Sequence, residues 1–256
     1  MRSLYFGILT AVFWVLAGTY SEISWRTVRP CIPEIGRRDI EPTLGQGVLL
    51  GILGGMRTVI ADGTWVRSYV LWERKDRPGC ETLMRTACAL DPRSRYFWEN
   101  TGYVMGYDMA HWEVRRRGGY AKVPADVQEH LYRSYARRAL EVLDQGVVNT
   151  GGNAALLIAA GQLAEMKLKD QLLSARYYRS ATESRNAPWY APYFCARNLW
   201  EAGQREESYR WYRKIWEEKL SKSEDGAPDD LKNLREMEQA LHLPIIQRIP
   251  RPAWEK

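Results

Sequence analysis

One spacing of side chains recurs between residues 61 and 220. A small residue is followed four positions later by a bulky one, three later by another small one, and five later by proline. The segment CETLMRTACALDP carries this whole pattern at Cys80, Met84, Ala87 and Pro92. Small residues let two helices approach, the bulky residue fills the space between them, and proline stops the helix. The pattern therefore predicts the second helix of a helical hairpin.

Two later segments repeat the spacing with a period near 34 residues. The equivalent positions are Ser174, Tyr178 and Ala181 in one copy, and Ser208, Tyr212 and Ile215 in the other. We expect Gly203 to turn the chain between the two helices of the last copy, whose first helix begins after Pro188. The first helix of the middle copy is NAALLIAAGQLAEM, whose alanines and glycine suit close packing against a neighbour.

A fourth copy is irregular. Trp98 and Gly102 open its first helix, and its second helix carries Ala136, Leu140 and Leu143. Between the two helices we expect an insertion over residues 114–125, with the sequence VRRRGGYAKVPA.

The copy at CETLMRTACALDP, with its exit Leu90-Asp91-Pro92, resembles the tetratricopeptide repeat family. The resemblance implies an all-α fold, a right-handed α-solenoid of helical hairpins, and binding of a protein or an extended peptide. We expect this repeat domain over residues 48–220, with four degenerate hairpins. Residues 221–256 should add one terminal helix, over about 228–241, and an extended proline-containing tail that packs across the repeats or binds elsewhere.

An uncharged segment precedes the repeats. Residues 3–21 carry no charge, and as a helix they would extend roughly 28 Å, close to the thickness of a bilayer core. Residues 1–21 are therefore expected to be a transmembrane anchor. The alternative is a cleaved signal peptide, for which Ala17-Gly18-Thr19 is a poor cleavage site.

The chain after residue 21 is expected to be a linker over residues 22–47, because Pro30, Pro33 and Pro42 interrupt any helix there. The apolar run within 45–56 is too short to span a bilayer, and is expected either to begin a buried helix or to lie at a membrane surface.

We expect the chain to cross a bacterial-type cell membrane once. The arginines of the linker favour a cytoplasmic repeat domain, whereas the short N-terminal head resembles an export signal, and both orientations are kept.

Composition narrows the chemistry. The net charge of +6 suits anionic partners, but no nucleic-acid-binding signature is present, so nucleic acid is not expected.

The four cysteines form no CxxC pair and lack histidine at ligand spacing, which predicts no metal, and Cys80 and Cys88 are expected to be buried thiols. No catalytic or nucleotide-binding motif occurs, so we expect no cofactor and no enzyme. Asp108 and His111 share a helix face, most simply as a surface pair.

The insertion is the first candidate for partner binding. Arg115, Arg116, Arg117 and Lys122 cluster there, and Arg133, Arg137 and Arg138 follow on the next helix. Because Gly118-Gly119 lets the loop bend, these cations are expected to project together towards an acidic peptide, a phosphorylated protein or anionic headgroups. The alternative is a solvated loop whose charges pair locally with Glu113 and Glu129.

The second candidate is the surface formed by the first helices of the hairpins. Asn100 and Asn198 are the main candidates there, since amides can hold the backbone of an extended peptide. The other candidates are Trp65, Arg67, Tyr69, Tyr103 and Tyr107. The rings among them are equally suited to packing between helices.

These features together predict a non-catalytic, membrane-anchored adaptor that assembles other proteins at a membrane. One alternative is a structural subunit permanently buried in a larger membrane complex, for which the many Trp and Tyr residues are suited. Another is an enzyme on an α/α scaffold acting on glycans, which would need a pair of carboxylates at catalytic separation. The sequence shows no obvious pair.

Overall fold

The computed structural model describes residues 55–220 and 228–251. Throughout these residues the regular structure is helical, which confirms the all-α prediction. The chain divides into two compact units, with the boundary between Phe97 and Trp98. None of the helices in the described ranges is both long and apolar enough to cross a bilayer. The anchor expected over residues 3–21 and the linker over 22–47 lie outside the described residues.

Ten α-helices follow one another along these ranges. They are α1 (Arg57–Glu73), α2 (Arg77–Leu90), α3 (Arg95–Tyr103), α4 (Ala110–Arg116), α5 (Ala125–Asn149), α6 (Ala154–Leu163), α7 (Gln171–Glu183), α8 (Ala191–Glu201), α9 (Arg205–Leu220) and α10 (Pro228–Ala240). A π-helical stretch, Val104–Met109, joins α3 to α4, and a second one, Ala164–Leu168, extends α6. In a π-helix the backbone bonds reach one residue further than in an α-helix.

The first unit contains the hairpin of α1 and α2. Asp76 caps α2 by accepting a hydrogen bond from the Gly79 amide at 3.2 Å. Cys80, Met84 and Ala87 are buried, as the repeat spacing predicts. Trp65 is also buried, and its ring lies 5.1 Å from that of Phe97, so this ring packs between helices and does not line an open surface.

The hairpin turns share one backbone conformation. Lys75, Lys169 and Gly203 each have a positive φ, of 56°, 55° and 81° respectively. Each precedes the second helix of its hairpin by two residues and stands five residues before the small position of the spacing. Glycine reaches this left-handed region without strain, whereas lysine does so at a cost. The expected turn at Gly203 is confirmed, and two lysines make the equivalent turn elsewhere.

The small positions of two hairpins also make equivalent contacts. Ser174 donates to the backbone oxygen of Gly161 at 2.9 Å, and Ser208 donates to that of Ala196 at 2.7 Å. Both serines are fully buried. A small hydroxyl at this position allows the second helix to approach the first and satisfies its own polar group against the first helix.

Glycines bring the helices of the irregular copy together. A Cβ placed on Gly146 of α5 would lie 2.7 Å from Trp98 of α3, and one placed on Gly102 would lie 2.7 Å from Leu143. Ala136, Leu140 and Leu143 are buried, in agreement with the predicted second helix.

The insertion expected over residues 114–125 is shorter than the sequence indicated. Helix α4 continues to Arg116, Val114 is fully buried, and α5 begins at Ala125, so only a short turn separates the two helices. Gly118 and Gly119 have φ values of 113° and 87°, which confirms their role in the bend. The end of α4 is difficult to locate from the sequence, because the three arginines after the buried Val114 resemble the start of a loop.

The predicted terminal helix is present as α10, with Asp229 and Asp230 in its first turn and Leu231 and Leu234 buried. The following residues do not extend away from the protein. Ile249 is buried with Leu231 and Leu234, so residues 241–251 fold back on α9 and α10.

The described cysteines behave as core residues. Cys80, Cys88 and Cys195 are buried free thiols, as expected for the first two. Burial raises the pKa of the Cys195 thiol to about 11, with Arg179 acting in the opposite direction. A thiol in this environment is a packing residue rather than a nucleophile.

Candidate functional site

Glu165 is the centre of a polar network in the second unit. It lies in the π-helical stretch after α6. Arg197 of α8 binds one carboxylate oxygen, while Asn198 Nδ2 donates to the other at 3.2 Å. Tyr178 of α7 donates to the same oxygen as Asn198 at 3.4 Å. One carboxylate therefore joins three consecutive helices.

Tyrosines continue this surface towards α3. Tyr103 donates from its hydroxyl to Gln162 Oε1 at 2.9 Å, and the Tyr103 and Tyr107 rings lie 5.8 Å apart. The Tyr107 hydroxyl lies 3.7 Å from the sulfur of Met166, which is exposed. Both tyrosines are half-buried, so each ring has one face on the protein and part of its edge in solvent.

The electrostatics agree with this arrangement. Burial raises the pKa of Tyr107 to about 12, with smaller contributions from Tyr103 and Glu165. Burial, then the nearby Glu99 and Tyr190, raise the pKa of Tyr103. Both phenols are therefore neutral at physiological pH and act as hydrogen-bonding groups on a partly apolar surface.

Aromatic rings also continue the surface along α8. Arg197 stacks over Phe194 with its guanidinium carbon 4.8 Å from the ring centre, and Phe194 lies 5.4 Å from Tyr190. Trp189, at 78% exposure, packs edge-on against Tyr190. We call the whole set the Glu165 face; its members are Tyr103, Tyr107, Gln162, Glu165, Met166, Trp189, Tyr190, Phe194 and Arg197.

The structure assigns different positions to the two candidate asparagines. Asn198 is fully buried, and its Nδ2 also donates to the backbone oxygen of Phe194 at 2.9 Å. Its amide therefore supports the Glu165 face from behind and does not lie on the surface. Asn100 is half-buried in α3, one turn before Tyr103.

The basic residues of the turn are partly paired. Arg116 and Arg117 both bind the carboxylate of Glu113, at 2.8 Å and 2.6 Å, and Glu113 is buried. This local pairing matches the alternative given for the insertion. Arg115 is exposed, and the Lys122 side chain lies over Gly118.

Arg137 does not join those cations. It lies with Arg133 on another face of α5, where both line an open cleft of about 680 Å³ against the start of α7. Arg133 donates there to the backbone oxygen of Leu168 at 3.0 Å. Arg138 instead lies over the Tyr135 ring, at 5.4 Å from its centre. The cleft also contains Glu141, Asp144, Lys169 and Asp170, so its charges are mixed rather than positive.

A cluster of ionisable side chains near the turn has no counterpart in the sequence analysis. His111 Nδ1 lies 2.6 Å from the Tyr120 hydroxyl, which in turn contacts the Tyr132 hydroxyl. Lys167 Nζ lies 4.7 Å from the ring centres of both Tyr107 and Tyr132. Burial lowers the pKa of Lys167. The expected Asp108–His111 pair does not indicate this cluster. Tyr120 follows the glycine turn and Lys167 lies on another hairpin, so neither is a neighbour of His111 on its own helix.

The Glu165 carboxylate is fully engaged within the protein. Both Glu165 oxygens already accept hydrogen bonds from Arg197, Asn198 or Tyr178, so a reacting group would have to displace one of them. Among the described residues, no cluster of three acidic, histidine or cysteine side chains is arranged to hold a metal ion.

Compared with known proteins, the chain matches no protein-family model and no curated protein sequence.

Proposed function

We propose that the protein is a non-catalytic, membrane-anchored scaffold of tetratricopeptide-like hairpins, stacked as a right-handed α-solenoid. In this proposal the Glu165 face binds an extended segment of a partner protein. The repeated turns at Lys75, Lys169 and Gly203, and the matching contacts of Ser174 and Ser208, support the relation between the hairpins. The uncharged segment at residues 3–21 supports the anchor.

The observation that carries the binding proposal is the row of partly or largely exposed rings beside the Glu165 contacts, where Arg197, bound to Glu165, stacks over Phe194. Rings such as Tyr107, Tyr190 and Trp189 offer large contact areas and lose little conformational freedom on binding. Gln162 and Arg197 supply polar groups beside them. Since Arg197 is already bound to Glu165 and Gln162 already accepts from Tyr103, a bound peptide would order few additional side chains.

Two features favour an extended peptide over an acidic ligand. The charges of the Arg137 cleft are mixed, and Arg116 and Arg117 share the buried Glu113. The basic turn is therefore the secondary contact in this proposal, with Arg115 and Lys122 as its exposed cations.

Site-specific photo-crosslinking in native membranes tests the proposal. A photoreactive phenylalanine replaces Trp189 in one variant and Val148 in the other; Val148 is 80% exposed, lies at the end of α5 and is not a member of the Glu165 face. We expect a discrete protein adduct from position 189 and none from position 148. Adding Tyr107→Ala should reduce the adduct at position 189 by about tenfold, the effect of removing one strong contact. Equal adducts at the two positions, or none at either, would contradict the proposal.

A structural subunit of a larger complex is the second candidate, and one observation favours it. Helix α1 and the residue before it expose an apolar stripe at Met56, Val59, Val66 and Val70, at the spacing of one helix face. Such stripes commonly mark a permanent protein contact. Native mass measurement after mild detergent extraction separates the candidates, because a free monomer contradicts an obligate subunit.

A further inference from the structure

The C-terminal residues present an apolar tip. A single 3₁₀ turn, Ile245–Gln247, follows Pro244. Ile245 is 85% exposed and Ile246 is 92% exposed. They are the two most exposed large apolar side chains among the described residues. Since exposed aliphatic side chains lower the free energy only when they leave water, this tip requires an explanation.

The tip is held firmly by the residues around it. Ile249 is buried, and its amide donates to Glu238 Oε1 at 2.8 Å. Arg235 donates to the backbone oxygen of Ile249 at 2.8 Å, and Arg248 donates from Nε to that of Leu243 at 2.8 Å. The isoleucines are therefore presented by a fixed turn, not by a loose end.

Positively charged side chains line a cleft beside the same turn. A cleft of about 470 Å³ beside Ile245 is lined by Arg235, Arg248 and Arg251. Glu238 is the acidic residue of that lining, but it is buried and already accepts bonds from Tyr209, Arg235 and the Ile249 amide. The cleft therefore offers guanidinium groups to an anion, directly beside an apolar tip.

We propose that the Ile245–Ile246 turn docks on an anionic phospholipid bilayer. The isoleucines enter the boundary between headgroups and acyl chains, and Arg248 and Arg251 contact lipid phosphates. Two aliphatic side chains on a protruding turn are too small an apolar area for a stable protein interface, whereas they suit a second, weak membrane contact. Such a contact is effective when the chain is already tethered, because tethering raises its effective concentration at the membrane. The inference rests on the proposed membrane anchor.

A fluorescent probe at the tip tests this docking. The full chain, with Cys31→Ser, carries Ile246→Cys in one variant and Val148→Cys in the control, each labelled with an environment-sensitive dye. The described native cysteines are buried, so the label goes to the new thiol, and a Cys31→Ser sample without an added cysteine measures background labelling. Both variants are reconstituted into nanodiscs of phosphatidylcholine alone, or of an equimolar mixture with phosphatidylglycerol.

In the anionic discs we expect blue-shifted emission at position 246. We also expect about threefold stronger quenching there than at position 148 by a lipid spin-labelled near its ester groups. Raising the salt concentration, or Arg251→Gln, should reduce the difference, since both weaken attraction to the phosphates. Equal quenching at the two positions would overturn the docking proposal. Equal insertion in both types of disc would overturn the role assigned to the arginines.

The same preparation separates this inference from the proposed function. If the unlabelled full chain is not retained in the discs after alkaline washing, the membrane anchor fails. If the chain is retained and position 246 remains in water, the anchor stands and the docking inference alone fails. Because Ile246 is almost fully exposed, its replacement should leave the thermal unfolding curve unchanged, which verifies that the labelled protein is folded.

Discussion

Asn198 donates from Nδ2 to Glu165 Oε2 over 3.2 Å, and the two residues are 33 positions apart in the chain. The same Nδ2 donates to the backbone oxygen of Phe194, one turn earlier in α8. Asn198 is fully buried, so its amide nitrogen satisfies its hydrogen-bonding capacity within the protein and at the same time holds the Glu165 carboxylate against α8.

Replacement of this amide should weaken the second unit. Asn198→Ala removes the donor to Glu165 and leaves a small cavity, so we expect the free energy of unfolding to fall by about 1–3 kcal/mol. Chemical denaturation measures the change. Asn186→Ala is the control, because Asn186 is exposed in the turn before α8 and its loss should have little effect. A similar loss in both variants would show that Asn198 does not act through its buried contacts.

A methyl group at Gly146 should destabilise the irregular hairpin. The new Cβ would lie 2.7 Å from Trp98, and the overpacking should lower the free energy of unfolding by about 1–3 kcal/mol despite the better helix propensity of alanine.

Gly63→Ala is the matched test of propensity alone. Gly63 lies within α1, and a Cβ there meets no atom within 4 Å. We expect this variant to be stabilised by about 0.5–1 kcal/mol. Thermal unfolding of both variants shows whether each substitution raises or lowers the free energy of unfolding. A stabilising effect of Gly146→Ala would contradict the close approach of α3 and α5.

Glu238 should hold the C-terminal residues in place. Its buried carboxylate accepts from the Tyr209 hydroxyl, the Ile249 amide and Arg235. Glu238→Gln removes the charge that Arg235 pairs with and puts an amide donor in part of an acceptor site. We expect hydrogen exchange at the amides of residues 245–249 to accelerate by about tenfold or more.

The control for that measurement is Glu236→Gln, an exposed residue on the same helix, which should leave the exchange unchanged. Unchanged exchange in Glu238→Gln as well would mean that the apolar contacts of Ile249 suffice to fix the tip.

Alkaline pH should unfold the protein through its buried phenols. Burial is the largest cause that raises the pKa of Tyr107, Tyr132 and Tyr209 to about 12. Their unfolded pKa is about 10. A raised pKa means that the folded state keeps these protons longer, so the stabilisation is complete below pH about 10 and is lost as pH rises towards about 12.

The measurement is the urea midpoint across that range, with ionisation followed by ultraviolet absorbance. Tyr107→Phe removes one of these groups, so its midpoint should decline less steeply with pH. The unfolded protein in guanidinium should titrate near the ordinary value. A midpoint that stays constant from pH about 9 to about 12 would contradict the prediction.

The sequence predicts the helical hairpins well because their contacts are local. Cys80, Met84 and Ala87 occupy one face of one helix, so their spacing alone shows which side is buried. The same holds for Ser174 and Tyr178, and for the leucines of α10.

The Glu165 face was only partly predictable. Tyr103 and Tyr107 were recognised by type, but Glu165 has no local signal, since its partners Arg197 and Asn198 lie more than thirty residues away. The sequence predicts Asn198 as an amide that holds a peptide backbone, but its burial depends on the packing of α8 and is not visible from the sequence. The basic turn was overextended, because a run of arginines at a helix end is difficult to distinguish from a loop.

The two π-helical stretches affect how the repeat can be recognised. Val104–Met109 lies inside a first helix, so the side chains of α4 after it are rotated by about 100° relative to a continuous α-helix, whereas Ala164–Leu168 ends its helix at Lys169. Deleting one residue from Val104–Met109 would restore a regular helix and rotate Val114 and Glu113 out of their buried positions. In a hairpin without such an inserted residue, the equivalent buried side chains would therefore stand one position earlier in the sequence. A hairpin of this kind is therefore defined by the register of its buried side chains and not by a fixed period of residues.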